Sequence, residues 1–429
     1  MTSMTRPTVL MSDADLGADR IGPERFTSQA MLAEELKWVF GRSWLLACPV
    51  SDIASPGDAF PFTVGQDPLV VVRGEDGQVR AFHNVCRHRG RQLVTRPRNI
   101  KSFYCWFHGF DWHLDGSVRD IPDKACFKGY TNEEDLVLPA VQCEVWGGFA
   151  WVNMDPGAPP LLDFLGPVAD QLSAYRLEEY RLAEDLLVEW DCNWKIGADA
   201  FQEGYHGPVT HPQLQYFLED GEDMPMDLYE LHSRGLYKIG APCTRLPEAD
   251  RRRAHPMLKQ MAAGVGVDAD AFEGRLEEMR LAMQAGRRAT LTAKGCDVSA
   301  LTDDQMTDDF HYFVFPNITL NMFAERFSVF RYMPHPTDPT KMTFWLQRFE
   351  RAGPDEPRGK RVETTFGSGP DFRFDNEVYN QDAANVPWVQ KGVGSRSFKG
   401  MLFNSQERRL RHFYHNLDRY LDPAKPPWA

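Results

Sequence analysis

Apolar positions in the first forty residues recur at helical spacing. Within Met31 to Phe40, the residues Leu32, Leu36, Val39 and Phe40 fall on one face, and Gly41 offers a stop. From Trp44 the pattern changes to short β-rich runs, such as Leu69 to Arg73, Val79 to Val85, Ser102 to Trp106 and Gly148 to Val152. Gly, Asp and Pro punctuate them, as in Gly74-Glu75-Asp76-Gly77, which predicts an all-β domain of about 110 residues. The stretch Asp155-Pro156-Gly157-Ala158-Pro159-Pro160 marks a boundary. Helices and strands mix beyond it. A strand is expected over Leu186 to Lys195 and a helix over Ile196 to Tyr205. Residues 245 to 309 are charged and partly helical, with Phe272, Leu276, Met279 and Met283 on one face. Strands return at His311 to Phe315, Ile318 to Met322, Ser328 to Met333 and Met342 to Phe349. A closing helix runs from about Ser405 to Leu421, with Leu410, Phe413, Leu417 and Tyr420 facing inward. The class is α+β in three parts: a helical segment over 1–43, an all-β domain over 44–158 and a mixed domain over 159–429.

Composition narrows the options. The 429 residues are 42% apolar and 25% charged, ordinary for a soluble globular enzyme. The formal net charge of −13 makes nucleic acid and anionic membrane poor partners. No run of 18 apolar residues exists to span a bilayer, and Met1 to Arg20 lacks the apolar stretch of a secretory signal, so a cytoplasmic enzyme is expected. The abundant Phe and Trp suit a core before they suit a pocket. Eight cysteines in such a chain are thiols or ligands rather than disulfides. Cys48, Cys126, Cys143, Cys192, Cys243 and Cys296 stand alone and read as small core residues.

The other two cysteines carry chemistry. Cys86-Arg87-His88 and Cys105-Trp106-Phe107-His108 each follow a β run and each precede a glycine, Gly90 and Gly109. Two such loop tips can close four ligands around a small inorganic cluster. A Cys2His2 zinc finger spaces a Cys pair and then a His pair, whereas here each loop gives one Cys and one His. That mixed pairing matches a Rieske [2Fe–2S] centre, in which two His replace two Cys on one iron.

A second constellation lies at the expected helix. Asp199, Glu203 and His206 stand at i, i+4 and i+7, which puts them on one helical face. Gly207-Pro208 is read as the helix end, and His211 follows before Pro212. Two imidazoles and two carboxylates buried together are costly without a cation. A non-haem Fe(II) site needs two His and one carboxylate on one side of the ion. Glu203 can be that carboxylate by position, and so can Asp371, Asp375, Glu377 or Asp382. The residues alone leave this choice open.

With these motifs the chain resembles the α subunit of the Rieske non-haem iron oxygenases, the aromatic ring-hydroxylating oxygenases, over nearly its whole length. Asn84 to Gly90 and Cys105 to Gly109 match that family's cluster motif, and Asn193-Trp194-Lys195, Glu203 to His206 and His211 match its iron motif. The resemblance implies Cys86, His88, Cys105 and His108 as cluster ligands and His206 and His211 as iron ligands. Its third iron ligand is an Asp eight residues before the Gln of a Val-Gln-x-Gly element, the place of Asp382 ahead of Val389, Gln390 and Gly392. Glu203 then becomes the acid that bridges the iron site to the cluster of a neighbouring subunit, where many members have Asp. The implied fold is an all-β Rieske [2Fe–2S] domain plus a helix-covered antiparallel-sheet catalytic domain, with residues 1–43 packed on the latter. A ring of three α subunits is implied too, and a β subunit is left open.

The implied cofactors are a Rieske [2Fe–2S] cluster and Fe(II), and the implied reaction is hydroxylation or dihydroxylation of an aromatic or similar small organic substrate with O2. The alternative is a monooxygenase that demethylates an N-methyl or O-methyl substrate. No G-x-G-x-x-G opens a helix after a strand, and Gly264-Val265-Gly266 lacks the third glycine, so a separate NAD(P)H-dependent reductase, with or without a ferredoxin, is expected. A bare electron carrier or redox sensor has no use for His206, His211 and the remaining residues of the third part.

Overall fold

A computed structural model describes residues 11–12, 16–219, 221, 224–356, 362–369, 371–422 and 424. The chain forms two compact units. One is Ala33–Phe164; the other joins Leu165–Asp422 to the described N-terminal residues up to Leu32.

In the first unit a helical segment, Glu35–Phe40, precedes ten strands. These are β1 (Leu45–Pro49), β2 (Asp58–Val64), β3 (Asp67–Arg73), β4 (Val79–His83), β5 (Arg98–Asn99), β6 (Phe103–Tyr104), β7 (Asp111–Trp112), β8 (Val118–Asp120), β9 (Ala140–Trp146) and β10 (Phe149–Asn153). Seven form an antiparallel sheet in the order β1-β10-β9-β4-β3-β2-β5, and β6-β7-β8 form a second. The continuous apolar run Leu69 to Val72 is buried on both faces of β3, which is why it does not alternate. Cys86 and Cys105 sit in one apolar cluster with Phe82, Phe103, Phe110 and Trp112.

The second unit is built on a nine-stranded sheet. Its strands are β11 (Tyr180–Trp190), β12 (Leu218–Glu219), β13 (Met226–Leu228), β14 (Ser233–Ile239), β15 (Asp309–Val314), β16 (Ile318–Met322), β17 (Arg326–Pro334), β18 (Met342–Arg351) and β19 (Thr365–Ser368). The order is β12-β14-β15-β16-β17-β18-β11-β19, with β13 also paired to β14. Every pairing is antiparallel except β11 with β19. Three helices matter for the site: α1 (Trp194–Asp199), α2 (Glu377–Val393) and α3 (Arg408–Leu421). On α3, Leu410, Phe413, Leu417 and Tyr420 are all buried, as their spacing requires. The face Leu276, Met279 and Met283 belongs to another helix, Leu276–Ala293, and packs in a separate cluster with Phe217, Ile239 and Leu258.

The N-terminal stretch is tied into this unit. Ile21 and Met401 exchange backbone hydrogen bonds, and Phe26, fully buried, meets Tyr414 of α3 edge-on. Gln390 of α2 clamps three segments together. Its Oε1 accepts from the Asn193 backbone N–H at 2.7 Å, and its Nε2 donates to the Phe26 carbonyl at 3.2 Å.

Two expectations need correcting. The strand before the site ends at Trp190 and not at Lys195, because Asn193 caps α1 by accepting from the Lys195 N–H. Of the six lone cysteines, Cys48, Cys192, Cys243 and Cys296 are buried, Cys143 is half-buried and Cys126 is exposed. Among the described residues no helix is long and apolar enough to cross a membrane.

Candidate functional site

The two Cys-His loops of the first unit repeat one local geometry. The Gly90 N–H donates to the Cys86 carbonyl and the Cys86 N–H to the Arg91 carbonyl; Gly109, Cys105 and Phe110 do the same in the second loop. Gly90 and Gly109 have φ of 75° and 78°, a left-handed turn that costs a glycine little. Each loop thus curls around its cysteine and turns the histidine two or three residues on toward the other loop. The His88 and His108 rings meet with centroids 4.4 Å apart, and His88 stacks on Phe110. Asn84, fully buried, braces the first loop. Its Oδ1 accepts from Leu93 and Val94 N–H groups and its Nδ2 donates to the Val94 carbonyl.

The donor set fits an iron–sulfur cluster. Both thiols are buried, and burial pushes the Cys86 thiol up, a cost that metal coordination removes by taking the thiolate. His88 Nδ1 is buried without a partner, as a ring nitrogen aimed at a metal would be.

In the second unit α1 stops at Asp199, so the chain from Ala200 to Tyr205 is turn and not helix. Asp199, Glu203 and His206 therefore do not share one helical face. Asp199 turns to α3, where Tyr414 Oη donates to its Oδ2 at 2.7 Å. Glu203 folds back on His206, accepting from the backbone N–H at 3.1 Å and from Nδ1–H at 2.5 Å. Gly207-Pro208 opens a short helix, Gly207–Thr210, rather than ending one; proline is favoured in a first turn because its missing N–H costs nothing there. His206 and His211 flank this turn and their rings converge.

The third group comes from α2. Asp382 shares that helix's buried face with Val386, Gln390 and Val393. Its Oδ1 lies 3.0 Å from His211 Nε2 and 3.5 Å from His206 Nε2, and the two Nε2 atoms are 3.2 Å apart. Three ligands about 2.1 Å from one ion and near right angles to each other would stand about 3 Å apart. The set therefore fits a metal ion. Burial works against charge on His206, yet the Asp382 and Glu203 carboxylates raise it to about 10; the pocket asks for a cation. Glu203 directs both oxygens at His206, and Asp371, Asp375 and Glu377 are exposed.

Sequence reasoning missed the partners that hold these groups. Gln381 Oε1 accepts from His211 Nδ1–H at 2.7 Å, and Gln213 Nε2 donates to the same oxygen at 2.9 Å. Next to the site, Phe201 packs among Phe330, Tyr332, Phe344 and Tyr379, while the amide of fully buried Gln202 has no partner.

Asp199 gives the site a pH signature. Burial raises its carboxyl from 3.8 to about 8, and its Oδ1 has no partner, so the proton stays on in the folded state. The unfolded chain releases that proton near 3.8, so the stabilisation is complete below that pH and is lost as pH rises toward 8. The wild type is expected to lose melting temperature between pH 5 and pH 8. Asp199→Asn, which keeps an acceptor for Tyr414, should lose several degrees less over the same range. Parallel slopes in thermal melts would show that Asp199 is ionised when folded.

The model of the ring hydroxylating alpha subunit (catalytic domain) matches residues 177–423, and that of the Rieske [2Fe–2S] domain matches 43–131. The biphenyl 2,3-dioxygenase subunit alpha of Rhodococcus jostii (strain RHA1) is 33% identical over 228 residues, covering 50% of this chain and 49% of that one. The glycine betaine monooxygenase oxygenase subunit of Chromohalobacter salexigens is 30% identical over 204 residues, 46% of this chain and 44% of that one. The chain thus spans about half the length of these curated relatives. A solved quaternary ammonium Rieske monooxygenase in complex with L-carnitine shares the fold, with a TM-score of 0.65 and 18% identity over 95% of this chain and 97% of that one. The chain belongs to the ring-hydroxylating alpha subunit family, with a Rieske [2Fe–2S] domain ahead of the catalytic domain.

Proposed function

We propose that the chain is the terminal oxygenase component of a Rieske non-haem iron system that uses O2 to hydroxylate or dihydroxylate an aromatic or similar small organic molecule. The observation that carries this is the convergence of His206 Nε2, His211 Nε2 and Asp382 Oδ1 within 3.5 Å in a chain that also has a Rieske domain. Cys86, His88, Cys105 and His108 would hold the cluster, and His206, His211 and Asp382 the Fe(II). Loaded in this way, the centres supply one-electron transfer and O2 activation. The rest is the protein's work. Asp382 and the two imidazoles would hold the ion through three converging atoms, Oδ1 and the two Nε2. Glu203 accepts the hydrogen bond from His206 Nδ1–H and so fixes the ring with Nε2 toward Asp382 and His211. The aromatic rings packed around Phe201 form a rigid apolar backing for the turn that leads to Glu203 and His206.

A second reading, monooxygenation that removes an N-methyl or O-methyl group, is favoured by the similarity to a glycine betaine monooxygenase oxygenase subunit. Electrons would come from a separate NAD(P)H-dependent reductase, the subunits would form a homotrimer, and the enzyme would work in the cytoplasm. The test is a panel of arenes and N-methylated compounds. Protein with NADH alone should not turn over, and adding a reductase should start turnover. Product mass then separates one added oxygen, two added oxygens and lost formaldehyde. Product formed with NADH and no reductase would overturn the partner reading; no oxygenated product from any pairing would overturn the function.

A further inference from the structure

The two imidazoles of the site are held by different chemistry. His206 Nδ1–H meets a carboxylate, Glu203, whereas His211 Nδ1–H meets an amide oxygen, Gln381 Oε1, at 2.7 Å. An amide oxygen only accepts. The His211 Nδ1–H is thereby directed at Gln381, and Nε2 is the ring atom that faces Asp382 Oδ1, 3.0 Å away.

A second amide fixes the first. Gln213 Nε2 donates to the same Gln381 oxygen at 2.9 Å, so the amide is turned with its oxygen to the ring. The placement follows from the chain. Gln381 directly precedes Asp382 on α2, and Gln213 stands two residues after His211. One turn of α2 thus presents a carboxylate to one side of His211 and its orienting acceptor to the other.

We propose that Gln381, backed by Gln213, is a positioning residue that presents His211 Nε2 to the mononuclear iron, and that its neutrality is part of the design. The proposal rests on reading His206, His211 and Asp382 as the ligands. Asp382 and Glu203 already bring two negative charges to a largely buried place, and together they match a divalent ion. A third carboxylate at 381 would be uncompensated, and buried uncompensated charge is costly. An amide orients the ring without that cost.

The experiment uses full-length protein with its cluster intact and its mononuclear metal removed by chelation. Co(II) is added by equilibrium dialysis, and bound cobalt is counted against cluster iron. Gln381→Leu should weaken Co(II) binding about 10- to 100-fold, the usual effect of losing an orienting partner, with the cluster's visible spectrum unchanged. Gln213→Leu should fall between that variant and wild type. Gln381→Glu should restore binding to wild-type strength or better, while the metal-free protein melts lower than wild type. A purely structural role for Gln381 would lower the melting temperature of Gln381→Leu and leave Co(II) affinity alone. Affinity within about twofold of wild type in Gln381→Leu overturns the proposal, provided that His211→Ala loses the metal. If His211→Ala also keeps Co(II), the ligand reading fails, and this inference falls with it.

Discussion

Asp382→Ala is expected to leave the visible absorption of the oxidised cluster intact and to strip the protein of its mononuclear iron. The two effects separate because Asp382 and the Cys-His loops belong to different compact units. Asp382 Oδ1 faces both Nε2 atoms, and alanine puts no ligand in its place. The substitution also leaves the two imidazoles with Glu203, whose oxygens are engaged at Nδ1 and the backbone of His206. Iron should fall by one of roughly three atoms per chain, with oxygenation at background. Asp382→Asn keeps the shape but loses the charge, and should retain more iron than the alanine variant. Asp375→Ala is the control, because Asp375 is exposed. Full activity in Asp382→Ala, with iron lost instead from Asp375→Ala or Glu203→Ala, would sink the assignment.

The cluster motif was legible because it is local. Each Cys-His pair spans a few residues and each loop closes on its own glycine, so spacing carries the geometry. The candidate metal site was half legible. His206 and His211 flank one turn, but the third group stands 171 residues beyond His211, and composition offered Asp371, Asp375, Glu377, Asp382 and Glu203 alike. Only the family resemblance singled out Asp382, and the burial of its face on α2 supplies the physical reason. The helical reading of Ile196 to Tyr205 failed where side chains compete with the backbone. Tyr414 draws Asp199 toward α3, and Glu203 folds onto the His206 N–H, so the helix ends early. Gln381, Gln213 and Tyr414 could not be found from the sequence, since nothing local marks an amide or hydroxyl whose partner lies far along the chain.

Two individually inactive variants should restore activity to each other. Cys86→Ala removes a thiolate from a buried cluster site and should abolish the [2Fe–2S] centre while keeping the iron; Asp382→Ala should do the reverse. If three copies form a head-to-tail ring in which the cluster of one subunit serves the iron of the next, a random mixture joins an intact cluster to an intact iron site at roughly a quarter of interfaces. Co-expression should then return a comparable share of activity, although neither parent has any. Glu203 is the residue on which that crossing would depend. Its Oε1 accepts from His206 Nδ1–H at 2.5 Å, its side chain is one-tenth exposed, and a carboxylate oxygen can accept more than one bond. A cluster histidine from the neighbouring subunit can therefore share the same carboxylate and link the two rings. Placing Glu203→Gln in the chain that keeps its iron should abolish the rescue, because the amide accepts more weakly and removes the charge that draws two N–H donors together. The readout is product formed by affinity-purified mixed oligomers, each chain carrying a different tag. Mixed oligomers that form and remain inactive would mean that electrons pass within one chain, and the bridging role of Glu203 would be wrong.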